Sequence, residues 1–320
     1  MKKFLMSTPL LAIMCCLIWS VIFVPTKVGL TYFEYPFQYA GYTHLMAGLM
    51  LLPWGGFGRE YILHVREHFG LVLKVAFFST TLLYGAYYLG QSLVAPSLAA
   101  LIVSAQPFFV FVMAHFMMKN ERMTMMKVVS VILAVIGVVI VSYPSVRDIE
   151  VAGLSAVIGI VMVLVNCVSA SYANITVSKV DFTRVKSRVL TSAQLTLGGL
   201  MLFVISIAVD GGVKPLPLDN VEFLIATGAI IAFTVIAIMT WYSLLARPEV
   251  KVSELNMWKF IMPIFGTFIS WAMIESDKPN VYSVTGVVVL TISLILFYRT
   301  ALVGFFTRVF KGNGKKAVEQ

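Results

Sequence analysis

The stretches SLAALIVSAQP (Ser97–Pro107) and SELNMWKFIMP (Ser253–Pro263) decide the fold. Each opens on a serine and closes on a proline ten residues later, and the step from Ser97 to Ser253, like that from Pro107 to Pro263, is 156 residues. The same shift superposes VVSVILAVIGVVIVS from Val128 on VTGVVVLTISLILFY from Val284. Repetition at a fixed offset in a chain this apolar is a mark of duplicated membrane bundles.

The rest of the composition agrees. Of the 320 residues, 59% are hydrophobic and 12% charged, and the mean hydropathy is +0.91, far from the balance of a soluble domain. Apolar runs of about 18 to 25 residues predict ten helices, at 9–30, 37–54, 71–90, 95–118, 126–143, 152–178, 189–209, 221–246, 252–274 and 282–302. The connections between them are too short for an extramembrane domain, so function sits in the bundle or its loops. The opening MKKFLMSTPLLAIMCCLIWS imitates a secretory signal, yet its apolar run continues to Leu30, which predicts a first spanning helix. Cys15, Cys16 and Cys167 all fall inside spans, are odd in number and read as packing residues.

With the N-terminus inside, all but five of the 24 Lys and Arg fall on the cytoplasmic side; Arg147, Lys214 and Lys278 are outside, and Lys27 and Lys259 lie within spans. This bias predicts both termini in the cytoplasm of a multi-pass protein of the plasma or inner membrane. It also accounts for the net charge of +9 through basic loops at an anionic leaflet, so the expected partners are the bilayer and a small-molecule substrate, with no nucleic acid. The bundle is expected as a monomer or homodimer. Five spans repeating as five place the halves, 1–145 and 146–320, in opposite orientations: an all-α membrane protein of ten helices as two inverted five-helix repeats, an arrangement suited to alternating access and shared by some channels.

Three segments, LIWSVIFVPTKVGL in the first helix, ALIVSAQPFFVFVMAHFMMKNERMT across the fourth and WKFIMPIFGTFISWAMIE in the ninth, resemble the EamA-type transporters of the drug/metabolite transporter superfamily. The resemblance runs over nearly the whole chain. It implies a ten-helix inverted-repeat carrier with a central cavity lined by both halves, moving amino acids, metabolites or related small solutes, with export favoured. Trp19-Ser20 stands where the family usually has Trp-Gly, and Lys259 where it commonly has an uncharged residue.

Lys259 is the candidate that chemistry selects. Asn256, Lys259, Pro263 and Gly266 share one face of a continuous helix. A lysine in a span costs about 2.5–3.5 kcal/mol on insertion scales, so it faces a cavity, pairs with a carboxylate such as Glu254, or snorkels to the interface. At the 156-residue shift Lys259 matches Val103 while Pro263 matches Pro107. The scaffold is shared and the charge is not, which assigns the prolines to hinges and Lys259 to recognition of a carboxylate, phosphate or other anionic group. Trp258, Gln106, Asn166, Tyr88 and Trp19 complete the expected substrate site. Tyr84, Tyr87, Trp241 and Tyr242 are further candidate walls, against the plainer reading of buried or interfacial aromatics. Lys27, near the outer end of its helix, reads as snorkelling.

Coupling is less visible. No Asp or Glu lies deep in a span, which lowers the expectation of a multidrug cation exporter; His44 and His115 can titrate, though a lone span histidine is commonly a packed hydrogen bonder. His64-Val65-Arg66-Glu67-His68 spells H-x-x-E-H but lies in a short basic connection without a third ligand, so neither a metal site nor an enzyme is expected. Asn174-Ile175-Thr176 matches a glycosylation sequon inside a span, out of reach. No P-loop and no cofactor motif occurs. A channel-like membrane protein and a multidrug carrier are the alternatives to a metabolite carrier.

Overall fold

The computed structural model describes residues 7–56, 58–118, 124–147, 149–247, 250, 252–297 and 299. Among these the secondary structure is helical, with no strand, as expected where backbone groups must be satisfied within each segment. The helices are α1 Thr8–Tyr32, α2 Pro36–Gly55, the short α3 Arg59–Glu67, α4 Phe69–Ala76 and α5 Leu82–Leu93. They continue as α6 Pro96–Val103, α7 Gln106–Met117, α8 Met125–Arg147, α9 Ile149–Ser178 and α10 Ser187–Asp210. The last are α11 Val221–Leu245, α12 Val252–Asn256, α13 Ile261–Met273 and α14 Val281–Phe297.

Among the described residues, seven runs are long and apolar enough to cross a bilayer: Thr8–Tyr32, Phe69–Leu93, Pro96–Met117, Met125–Tyr143, Leu154–Ser178, Ser187–Asp210 and Val221–Leu245. The other three of the ten expected spans are helical there without meeting that length and hydropathy, and the end of the last one, 282–302, lies outside the described residues. Pro36–Gly55 carries Gln38, Tyr39, Tyr42 and His44, which lower its hydropathy. Ile264–Met273 and Val281–Phe297 are apolar but short.

Three runs are interrupted, and the interruptions shape the interior. A π-helical turn at Phe77–Thr81 joins α4 to α5. Ser104 and Ala105 form a turn between α6 and α7. A 3₁₀ turn at Met257–Phe260 separates α12 from α13. Proline explains the second break, since Pro107 has no N–H to return to Val103, and it sits in the first turn of α7, where that loss is harmless. Pro263 stands likewise in the first turn of α13.

The pairings are selective. α2 packs most extensively on α10, α1 on α11, α5 on α9 and α8 on α14, while α13 lies on α1 and α6, and α9 on α6 and α7. The α2–α10 contact is close because glycines face it. A Cβ at Gly48 would stand 2.4 Å from the Thr196 nitrogen, and one at Gly199 2.4 Å from the Leu45 nitrogen. Small residues of this kind let membrane helices approach where lipid supplies no hydrophobic drive. α8 and α14 lie at the flank, exposing Ile132, Val135, Val139, Val288 and Ile292 as a lipid-facing surface should.

Candidate functional site

The broken helices converge on a cavity of about 110 Å³ lined by α1, α2, α5, α6, α7, α9, α11 and α13 together with the π-turn and the 3₁₀ turn. Its wall is mostly aromatic and apolar, and Lys259 is the one cationic side chain in the lining. Lys259 is 6% exposed. Its Nζ donates to Gln106 Oε1 at 3.1 Å and lies 5.2 Å from the Trp19 ring centre and 4.8 Å from that of Trp241. The two indoles meet edge to face at 5.0 Å. An ammonium removed from water is thus held by an amide oxygen and two π-faces, a cation–π arrangement strongest when desolvated. Among the described side chains no carboxylate contacts it, the ion pair found there being Asp181–Arg184; the Glu254 side chain lies outside the described residues.

The remaining polar groups divide between holding the wall and facing the cavity. Trp241 is fixed from behind: its Nε1 donates to Asn174 Oδ1 at 3.2 Å, and Asn174 Nδ2 donates to Asn256 Oδ1 at 3.3 Å. Asn256 in turn donates to the Val252 carbonyl at 2.8 Å. Asn166 lines the cavity and donates to the Leu83 carbonyl at 3.1 Å. The π-turn presents Ser79, whose hydroxyl bonds Tyr242 at 2.5 Å. Tyr88 shares a hydrogen bond with Thr43 at 3.0 Å. Two buried side-chain nitrogens of the lining have no partner among the described residues, Gln106 Nε2 and His44 Nε2.

Of the residues singled out from sequence, Lys259, Gln106, Asn166, Tyr88 and Trp19 are brought together here. Asn256 and Trp258 are not in the lining. Asn256 shares the Lys259 face but starts a turn earlier, and its amide is spent on Val252 and Asn174; Trp258 packs at the edge of the core, and Trp241 takes the place beside the ammonium. Lys27 is half-buried, and its Nζ donates to the Gln91, Ser92 and Val94 carbonyls at 3.0, 3.3 and 3.3 Å. These are the unpaired acceptors at the end of α5, where a cation is favoured.

Sequence reading missed Asp277, which is 5% exposed in the α13–α14 connection. Its carboxylate accepts from the Ser97 N–H at 2.9 Å, the Ser97 hydroxyl at 2.6 Å and the Ser270 hydroxyl at 2.5 Å, tying the start of α6 to α13. A lone Asp in a loop gives no signal of this. His64, Glu67 and His68 hold potential ligand atoms within 4.8 Å of one another, but His64 Nε2 accepts the Lys186 N–H at 3.0 Å. Burial, with His68 and Lys186 adding, holds that imidazole below its usual range. α3 buries none of its residues, so no cleft encloses the cluster.

Comparison with known proteins places this geometry. Residues 6–143 match the EamA-like transporter family. The chain is 29% identical over 201 residues to the uncharacterized transporter YvbV of Bacillus subtilis, covering 62% of this chain and 62% of that protein. It is 22% identical over 305 residues to the uncharacterized transporter YoaV of the same organism, covering 94% and 96%. An uncharacterized transporter of Archaeoglobus fulgidus is 29% identical over 132 residues, covering 41% and 44%. The matched region thus spans less than two thirds of YvbV and of the Archaeoglobus protein. A crystal structure 18% identical in sequence superposes with a TM-score of 0.65 over 92% of this chain and 98% of that one, a likeness of fold.

Proposed function

We propose that the chain is a secondary carrier of the plasma membrane, a reading supported by the match of residues 6–143 to the EamA-like transporter family and by the membrane-length apolar helices. It moves a small solute bearing a carboxylate or other anionic group by alternating access, with export favoured. The ten helical runs form two inverted halves, residues 1–145 and 146–320, with both termini in the cytoplasm. The pairings support this reading, since exchanging the halves maps α1 on α11 onto α9 on α5, and α1 on α13 onto α9 on α7. The interrupted runs support it too: Pro96–Met117 and Val252–Met273 begin and end 156 residues apart, and each breaks beside the cavity. Pro107 and Pro263 are the hinges.

Lys259 carries the functional reading. A desolvated ammonium with an amide and two indoles for company has capacity left for an anion, and the cavity supplies apolar walls to bury the rest of a small solute. Trp19, Gln106, Asn166 and Tyr88 complete the binding surface, and Asn256 acts behind it. The test is Lys259→Met, with binding and counterflow of carboxylate-bearing solutes measured in proteoliposomes. A lost charge-assisted hydrogen bond is worth about 1.5–3 kcal/mol, so affinity is expected to fall about 10- to 100-fold while the protein still inserts. Unchanged binding and transport would remove Lys259 from the site.

A further inference from the structure

The cavity has a second polar pole that Lys259 leaves unused. His44 on α2 is 1% exposed and lines the cavity. Its Nδ1 stands 2.9 Å from the Ala40 carbonyl oxygen. A carbonyl oxygen only accepts, so in the neutral ring the proton is on Nδ1 and Nε2 is left with a bare lone pair. That Nε2 is buried with no partner among the described residues. The ring cannot easily turn away: Tyr84 stacks on it at 3.6 Å between centroids, Tyr88 meets its edge at 5.8 Å, and Thr43 Oγ1 lies 3.2 Å from Nδ1.

A separate group of lining residues has the complementary deficit. Gln106 Oε1 is taken by Lys259, which leaves Gln106 Nε2 as a buried donor with nothing to give to. Spare donors therefore stand at Lys259, which has spent one of its three N–H bonds on Gln106 Oε1, and at Gln106 Nε2, and an acceptor without a donor at His44. The contacts of the two poles, Ala40, Thr43, Tyr84 and Tyr88 on one side and Trp19 and Trp241 on the other, have no residue in common. Native interiors pair their buried polar atoms, so orphans of opposite kind lining one cavity describe the solute that would pair them.

The geometry points to a two-ended solute. Its acid end is bound by Lys259 and Gln106 Nε2, a hydrogen-bond-donating end, hydroxyl or ammonium, is accepted by His44 Nε2, and an apolar middle runs between them. This rests on the Lys259 reading and adds His44 as a specificity-determining residue. A site that hydrogen-bonds a substrate group discriminates strongly against the analogue lacking it, because its own buried atom is then left unpaired.

The test uses the purified full chain in proteoliposomes and three matched series: butanoate, pentanoate and hexanoate, with their terminal hydroxy and terminal amino derivatives. In the wild type, at least one derivative should bind about tenfold or more tighter than the plain acid of the same length. His44→Phe keeps a flat ring against Tyr84 and removes Nε2, and should bring that ratio near one. His44→Gln restores an acceptor and should recover part of it, which guards against a Phe variant that fails to fold. Equal affinities in the wild type, the outcome if Nε2 is served only by water, or a preference that survives His44→Phe, would overturn the His44 assignment and leave Lys259 standing. If no acid of any series binds, or if Lys259→Met leaves all of them binding, the underlying reading falls and this one with it.

Discussion

The Trp241–Asn174–Asn256 chain shows how hydrogen bonds among the wall residues set the cavity's shape. Asn174→Leu would leave the buried Trp241 Nε1 and Asn256 Oδ1 without partners. Unmade buried hydrogen bonds cost about 1–3 kcal/mol each, so a melting temperature lowered by several degrees is expected, together with weaker binding at Lys259 because its indole is no longer fixed. Thermal unfolding alongside ligand titration checks both. At this scale the sequence told part of the story. Lys259 stood out because a cation in an apolar run has few uses. Asn174 did not, since its helix is apolar all round and a polar residue there names no partner. Trp258 was named only as an aromatic of the same stretch, and a residue next to Lys259 in a 3₁₀ turn points about 120° away from it.

At the scale of helices, the α2–α10 contact should tolerate least. Valine at Gly48 or Gly199 places a branched side chain where a Cβ alone would meet backbone atoms at 2.4 Å. Either change is expected to separate the helices and abolish a monodisperse peak in detergent. Gly228→Ala on α11, where a Cβ meets nothing within 4 Å, should behave as wild type, so size-exclusion chromatography of the three distinguishes crowding from loss of glycine itself. The ten apolar helices were legible to within a few residues at the ends that are described, because hydropathy and length are written into composition, whereas the polar helix Arg59–Glu67 was read as a connection. Their partners were not, since small-residue spacing marks a face for close approach without saying which helix arrives. The breaks were half legible: Pro107 and Pro263 announce a disturbance, but only packing decides that the chain restarts a helix there instead of bending through one.

For the whole molecule, the proposed hinge prolines and the loop histidines make separable predictions. Pro107→Ala with Pro263→Ala restores backbone N–H groups beside the cavity and should slow counterflow several-fold while solute affinity changes little, as gating substitutions do; equilibrium binding against counterflow rate checks it. Chelator treatment should leave transport intact, because His64 already spends Nε2 on Lys186; a chelator-sensitive rate would give the His64–Glu67–His68 cluster a role. The two matching interrupted runs, Pro96–Met117 and Val252–Met273, were legible from two serine–proline frames, whereas Asp277, which ties α6 to α13 through Ser97 and Ser270, was invisible until the loop folded back.

The solitary ammonium of Lys259 has one more consequence. Wherever access to the cavity alternates between faces, a fixed positive charge at its centre experiences the transmembrane voltage, worth about 2.3 kcal/mol per elementary charge per 100 mV across the full field. An empty carrier would carry that charge through part of the field on each return, whereas one loaded with a monoanion would return electrically silent. Membrane voltage would then govern the unloaded half of the cycle and leave the loaded half indifferent.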